Sequence, residues 1–189
     1  MSRLPYPDLE TLSPAKRALV DTLGPKLLNV SRMAMHAPDP HWAAQRALGQ
    51  AQVRESSFDK MLREIVILRV AHLSRSAYEL YHHESMARDA GFTDAMLAAV
   101  RAGDPSPFTP PQRAAMRFTD EVVLDVSPSD ATLAALRKHL SDSNVIELVI
   151  LIGSYMLTAR VAAVSGAEMD GEAVSDWANV PSDESVRQR

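Results

Sequence analysis

Apolar residues recur along most of the chain at helical spacing, and strand-like alternation is nearly absent. Ser13-Pro14 has the N-cap and first-turn proline arrangement, opening a helix that ends near Gly24-Pro25. Asn29 to Pro40, with His36, Pro38, Asp39 and Pro40, is expected to be a loop. His41 to Gln52 has helical composition, with Trp42, Ala43, Leu48 and Ala51 as its apolar positions. Ser56 and Asp59 stand at capping-box spacing before the apolar run Met61 to Leu73. Within that run Ile65-Val66-Ile67-Leu68 would suit a strand by propensity. Its length, with Arg63, Glu64, Arg69 and His72 embedded, favours a mostly buried helix. Ser76 and Glu79 repeat the capping spacing, and their helix runs to Gly91 as its C′ residue. Thr93 caps a short helix to near Gly103, Thr109-Pro110-Pro111-Gln112 one to about Val126, and Ser127-Pro128 one to about Leu140. Asp142 or Ser143 opens the most apolar helix, which ends near Gly166. From Glu168 onward periodicity fades; Trp177 suggests some packing there, and Ser182 to Arg189 is polar and expected to be mobile.

This pattern predicts an all-α, single-domain protein. An N-terminal helical segment (1–55) packs on a helical core (56–170), followed by a C-terminal tail (171–189). A chain of 189 residues can bury such a core without disulfides or a structural metal. Composition narrows the function more than the fold. The net charge is −4 and the 20 Lys and Arg are scattered, so neither nucleic acid nor a membrane surface is expected as partner. There is no cysteine, which removes disulfides, thiolate nucleophiles, peroxidatic thiols and Cys-based zinc sites together. Met1 to Glu10 has no apolar core and is not expected to be a signal peptide. Leu148 to Ala159, bracketed by Glu147 and Arg160 and interrupted by Gly153-Ser154, looks too short to cross a bilayer and is expected to be a buried core helix. A cytoplasmic location follows as the expectation.

Three histidines fall close to acids: His72, His82 and His83, near Glu64 and Glu79. On one helix Glu79 and His83 are i and i+4 and share a face. Glu64 sits among Ile65, Val66, Ile67 and Leu68, where a carboxylate must find a partner or line a cavity. Two carboxyl groups and an imidazole at a helix junction can transfer protons if burial separates their pKa values. The alternative is structural: Glu79 as a capping residue, Glu79 and His83 as a solvated pair, and Glu64 paired with an arginine such as Arg160. Glu79-x-x-His82 also has the spacing of carboxylate-bridged metal bundles, but no second such segment accompanies it, so no metal is expected. His36 and His41 lie in or beside the proline-rich stretch without an evident partner.

The run from Glu64 to Ala71, then Ser76-Ala77-Tyr78-Glu79-Leu80-Tyr81-His82-His83, then Ala87 to Gly91, resembles the carboxymuconolactone decarboxylase family, which includes the AhpD-like proteins. The later stretch from Val145 to Tyr155 resembles its longer, cysteine-poor members, so the likeness spans roughly Phe58 to Met169. The family's redox branch carries Glu, then Cys-x-x-Cys, then His. Its glutamate position falls on Glu64, its cysteine positions on Ser76 and Glu79, and its histidine on His83. With both sulfurs lost, the thiol hydroperoxidase mechanism cannot operate here.

The resemblance implies an AhpD-like helical bundle that forms a homo-oligomer, a trimer or hexamer. It also implies a small-molecule substrate of the ring-cleavage kind met in aromatic catabolism. The expected function is a cofactor-free lyase of the decarboxylase type acting on a small carboxylated lactone. Glu64, Glu79 and His83 are then the catalytic candidates, and Tyr78, His82 and Tyr155 the candidates for binding substrate. The alternatives are a non-catalytic oligomeric member, or a peroxiredoxin-like relative stripped of its thiol pair.

Overall fold

Capping chemistry sets most of the helix starts. The structure, a computed structural model, describes residues 2–171. Among them are nine α-helices and no strand: α1 (Pro14–Leu23), α2 (Asn29–Ala34), α3 (Asp39–Arg54), α4 (Lys60–Leu73), α5 (Ala77–Asp89), α6 (Asp94–Ala102), α7 (Pro110–Asp125), α8 (Asp130–Leu136) and α9 (Asp142–Ser165). Ser76, Thr93, Ser129 and Ser141 each accept a backbone N–H three residues ahead, satisfying one of the donors a helix start leaves open. At α7 the Gln112 side chain accepts from the Thr109 N–H at 3.0 Å, the reciprocal half of a capping box. The expectations for Trp177, for Ser182 to Arg189 and for most of the 171–189 tail lie outside the described residues.

Several expected boundaries move. Residues 29–34 are helical, not loop, because α2 receives its N-terminal hydrogen bonds from residues remote in sequence. Helix α3 starts at Asp39, with Pro40 in the first turn where its missing N–H costs nothing. Asp59, not Ser56, caps α4, accepting the Leu62 N–H at 2.8 Å. Ser56 instead donates to Glu147 on α9 at 2.8 Å. Helix α8 opens at Ser129 rather than Ser127-Pro128, and α9 is capped by Ser141 rather than by Asp142 or Ser143.

The core is built around α4, which packs on α5, α6, α7 and α9. Nine of its residues are buried, as its nearly unbroken apolar run requires. On one side Val66, Ile67 and Val70 meet Phe118, Leu148 and Ile152; on the other Ile65 and Leu68 meet Phe92, Val100 and Met116. The N-terminal helices form their own cluster of Leu19, Leu27, Met35 and Trp42.

Helix α9 departs from the expected buried rod. By length and composition its 24 residues would suffice to cross a membrane, so the helix is longer than the Leu148–Ala159 run suggested. Here one side packs through Leu148, Leu151 and Ile152, while Ile146, Ile150, Leu157 and Val164 are exposed. An apolar stripe therefore lies uncovered along one face of the bundle.

Candidate functional site

A tight link between α4 and α5 sets the site. Arg75 takes a positive φ of 53° and the Ser76 N–H donates to the Ala71 carbonyl at 2.9 Å, folding α5 back along α4. Ser76 Oγ then accepts the Glu79 N–H at 3.4 Å. With its backbone so used, Glu79 is free to turn its carboxyl group inward instead of completing a capping box. Glu79, His82, His83 and Met86 follow at i, i+3, i+4 and i+7, one face of the helix, and all four line a cavity of about 260 Å³.

Glu64 lies behind that face and is wholly inaccessible to solvent. Its Oε2 stands 3.0 Å from His83 Nδ1, and His83 Nε2 stands 3.6 Å from Glu79 Oε2. The chain of groups is thus Glu64, His83, Glu79, running from the core to the cavity. Burial opposes charging of the His83 ring, but the charge and hydrogen bond of Glu64, together with the charge of Glu79, outweigh it and raise its pKa. Burial raises Glu79 as well; the His83 and His82 charges only partly oppose this, and Glu64 adds to it. Both groups hold a proton more tightly than they would in water, an arrangement suited to donating one inside a dry site.

Tyr155 on α9 meets the His83 ring edge-on at 5.0 Å and also lines the cavity. Burial, with the charges of Glu79 and Glu64, raises its pKa well above the ordinary tyrosine value, so its hydroxyl remains a hydrogen-bond donor. Tyr78 and His82 line the cavity too, but their polar atoms are engaged. The Tyr78 hydroxyl donates to Asp170 and accepts the Val30 N–H at 3.2 Å, and His82 Nε2 lies 3.0 Å from Asp170 Oδ2.

All six site residues expected from the sequence therefore gather here, five on the cavity wall and Glu64 behind it. Other expected partners do not. Arg160 donates to the Met156 carbonyl, so Glu64 pairs with an imidazole and not with that arginine. His72 lies near Arg69 and Arg101, and burial and those two charges lower its pKa. His36 lies 2.8 Å from the Pro5 carbonyl oxygen through Nε2. His82 and His83 turn to different carboxyl groups, and no set of three or more metal-binding side chains converges among the described residues. The rest of the wall was not foreseen. Val30 and Ser31 come from α2, Trp42, Arg46 and Arg54 from α3, and Asp170 stands behind Tyr78 and His82.

Residues 41–121, from α3 to α7, match the model of the carboxymuconolactone decarboxylase family. Over that stretch, which carries the core helices α4 and α5, the chain is similar to the family. The match contains Glu64, Glu79 and His83; it begins before Phe58 and ends before the α9 stretch that carries Tyr155. The uncharacterized protein YdfG of Bacillus subtilis is 24% identical over 116 residues, covering 60% of this chain and 79% of that one. Among solved structures, an uncharacterized peroxidase-related protein from Ralstonia eutropha JMP134, described as an alkylhydroperoxidase AhpD core, superposes with a TM-score of 0.77 at 22% identity. That match covers 96% of this chain and 98% of that one. A peroxidase-related protein from Silicibacter sp. TM1040 gives 0.75 at 19% identity, covering 93% and 94%. The fold is the AhpD-like helical bundle. Where the redox branch of the family has sulfur, this chain has Ser76, whose hydroxyl caps α5, and Glu79, whose carboxyl enters the cavity.

Proposed function

We propose that this chain is a cofactor-free lyase that decarboxylates a small carboxylated lactone, or a related ring-cleavage product, by proton transfer. One observation carries the reading. A histidine braced from behind by a buried glutamate faces a second, cavity-lining glutamate, and both hold their protons more tightly than usual. Losing carbon dioxide leaves the electron pair of the broken C–C bond delocalised towards the lactone carbonyl. The ring carbon next to that carbonyl must then take a proton, and the oxygen must be held while it carries charge. His83, exchanging its proton with Glu79, is the acid at Nε2. Glu64 fixes the ring through Nδ1 and favours its charged form. The Tyr155 hydroxyl is the donor to the developing oxyanion. Apolar walls from Val30, Trp42, Val53 and Met86 desolvate the departing carboxylate, and Arg46 and Arg54 draw the anion towards the cavity. Tyr78 and His82 contribute ring surface, and the active form is a homo-oligomer.

The test is turnover of a carboxymuconolactone by the purified full chain in deuterated water, with carbon dioxide and the product followed together. The expected result is release of one carbon dioxide per lactone and one deuterium on a ring carbon of the delocalised system that cleavage leaves, the carbon next to the lactone carbonyl. His83→Ala and Glu64→Gln should each lower the rate by roughly 10²–10⁴ in folded protein. Equal rates in wild type and both variants, or carbon dioxide release no faster than in buffer, would remove the proposal.

A further inference from the structure

Beyond α9 the chain turns back at Gly166, where φ is +66°, and Asp170 reaches two helices at once. Its Oδ1 accepts the Asn29 N–H at 2.9 Å, and its Oδ2 takes the Tyr78 hydroxyl and faces His82 Nε2 at 3.0 Å. Tyr78 in turn accepts the Val30 N–H at 3.2 Å. Asn29 also donates through its side chain to the Glu168 carbonyl at 3.1 Å. The first two N–H groups of α2, which Leu28 cannot cap, are thus satisfied from the far end of the chain and from α5. A helix of six residues has almost no stability of its own, so this anchorage decides whether α2 exists. Val30, Ser31 and Ala34 of that helix are cavity wall.

We propose that Asp170 is a positioning residue of the cavity, holding α2 against Tyr78 and His82 so that its wall closes over Glu79 and His83 and the His82 ring stays out of the proton path. The proposal rests on reading the cavity as the active site. The chemistry of the carboxylate suits the task. A single ionised side chain accepts from a backbone N–H, a phenol and an imidazole, three bonds that no neutral side chain of that length can accept together. Although burial opposes it, the hydrogen bonds from His82, Tyr78 and Asn29 hold the Asp170 carboxyl below its ordinary range. With Nε2 committed to Asp170, His82 does not compete for the proton that Glu79 and His83 share. The sequence motif of adjacent histidines is thereby split into two roles, one imidazole for the wall and one for chemistry.

The experiment compares the full chain with Asp170→Ala and Asp170→Asn, using three readouts that need no substrate. These are amide exchange at residues 28–35, the rate of His83 acylation by diethyl pyrocarbonate mapped by tandem mass spectrometry, and the nitrogen spectrum of the His82 ring. In Asp170→Ala, exchange at Asn29 and Val30 and acylation of His83 should each quicken by about tenfold, the effect of losing roughly one hydrogen bond's worth of closure, with α6 to α8 unchanged. Asp170→Asn keeps an oxygen for Asn29 but presents a donor to Tyr78 and His82. It should therefore retain slow exchange at Asn29 and lose the Nε2-protonated signature of His82. Wild-type exchange and acylation in Asp170→Ala would overturn the proposal, as would quickening spread evenly over α6 to α8. If the alanine variant does not fold, an unchanged His82 spectrum in Asp170→Asn overturns it as well. Because no turnover is measured, failure of the lyase reading and failure of the Asp170 role are seen separately.

Discussion

His83 and Glu79 place their protons under opposing demands, and the balance is measurable as stability. The folded pKa of His83 lies above the ordinary histidine value of 6.5, so its contribution is full below that value and is lost as pH rises through the folded one. Glu79 is raised above 4.5 and acts with the same sign: between that value and its folded pKa the native state binds the proton that the unfolded chain has released. Thermal stability should therefore fall as pH rises above about 6.5, and His83→Gln should flatten the slope. A melting temperature that climbs across that window would contradict the assignment. Glu79→Gln makes a sharper test. Its side chain does not complete a cap, since the Ser76 N–H is taken by Ala71, so glutamine removes the buried ionisable group and leaves the helix start alone. The variant should melt no lower than wild type, gaining up to about 1 kcal/mol, while turnover drops roughly a hundredfold. An unaltered rate in this folded variant would take Glu79 out of the mechanism.

At the scale of elements, helix starts follow side-chain caps, and each cap can be tested singly. Asp59 accepts the Leu62 N–H at the start of α4, the helix on which the core is built. Asp59→Ala should cost about 1 kcal/mol, while Asp59→Asn, which can accept the same bond, should cost only a few tenths. Chemical denaturation of the two variants checks this, and equal losses would show that the charge and not the bond matters. Helix α2 obeys the same rule with a different geometry. Its caps come from Asp170 and Tyr78, so nothing within residues 29–40 announces a helix. Helix α9 shows the opposite problem. Its apolar run is evident in the sequence, but which side of it meets the core depends on where α4, α5 and α7 lie.

Taken whole, the molecule leaves Ile146, Ile150, Leu157 and Val164 in solvent along one helix, more apolar surface than a lone soluble chain commonly shows in one stripe. Association of copies would remove that surface from water, and the chain should run as a trimer or hexamer by light scattering at micromolar concentration. Ile150→Arg with Leu157→Arg should shift the mass towards the monomer without lowering helical content; a monomeric wild type would refute the expectation at once. The whole molecule should also be indifferent to thiol reagents and show no dithiol-dependent turnover of organic hydroperoxides, since it has no cysteine. Peroxide reduction above a heat-killed control would overturn that.

Local signals were legible because their physics is local. The absence of sulfur, the capping serines and threonines, the 3.6-residue period and the i,i+4 relation of Glu79 to His83 all act within a few residues. They were enough to read an all-α chain, to discard thiol chemistry and to single out Glu64, Glu79 and His83. The choice between a capping and a cavity-facing Glu79 was not legible, because the Ser76 N–H turned to Ala71 on the preceding helix. Nor was the partner of Glu64, since an arginine and an imidazole satisfy a buried carboxylate equally well until packing brings one of them to 3.0 Å. Asp170 lay past the last periodic segment, 88 residues from His82, and no local pattern marks a side chain whose partners are that remote. Short-range hydrogen bonding and burial drive are written in the order of residues. Which polar groups meet inside the protein is decided only when the helices close on one another, because only then does each buried donor and acceptor have to find its partner.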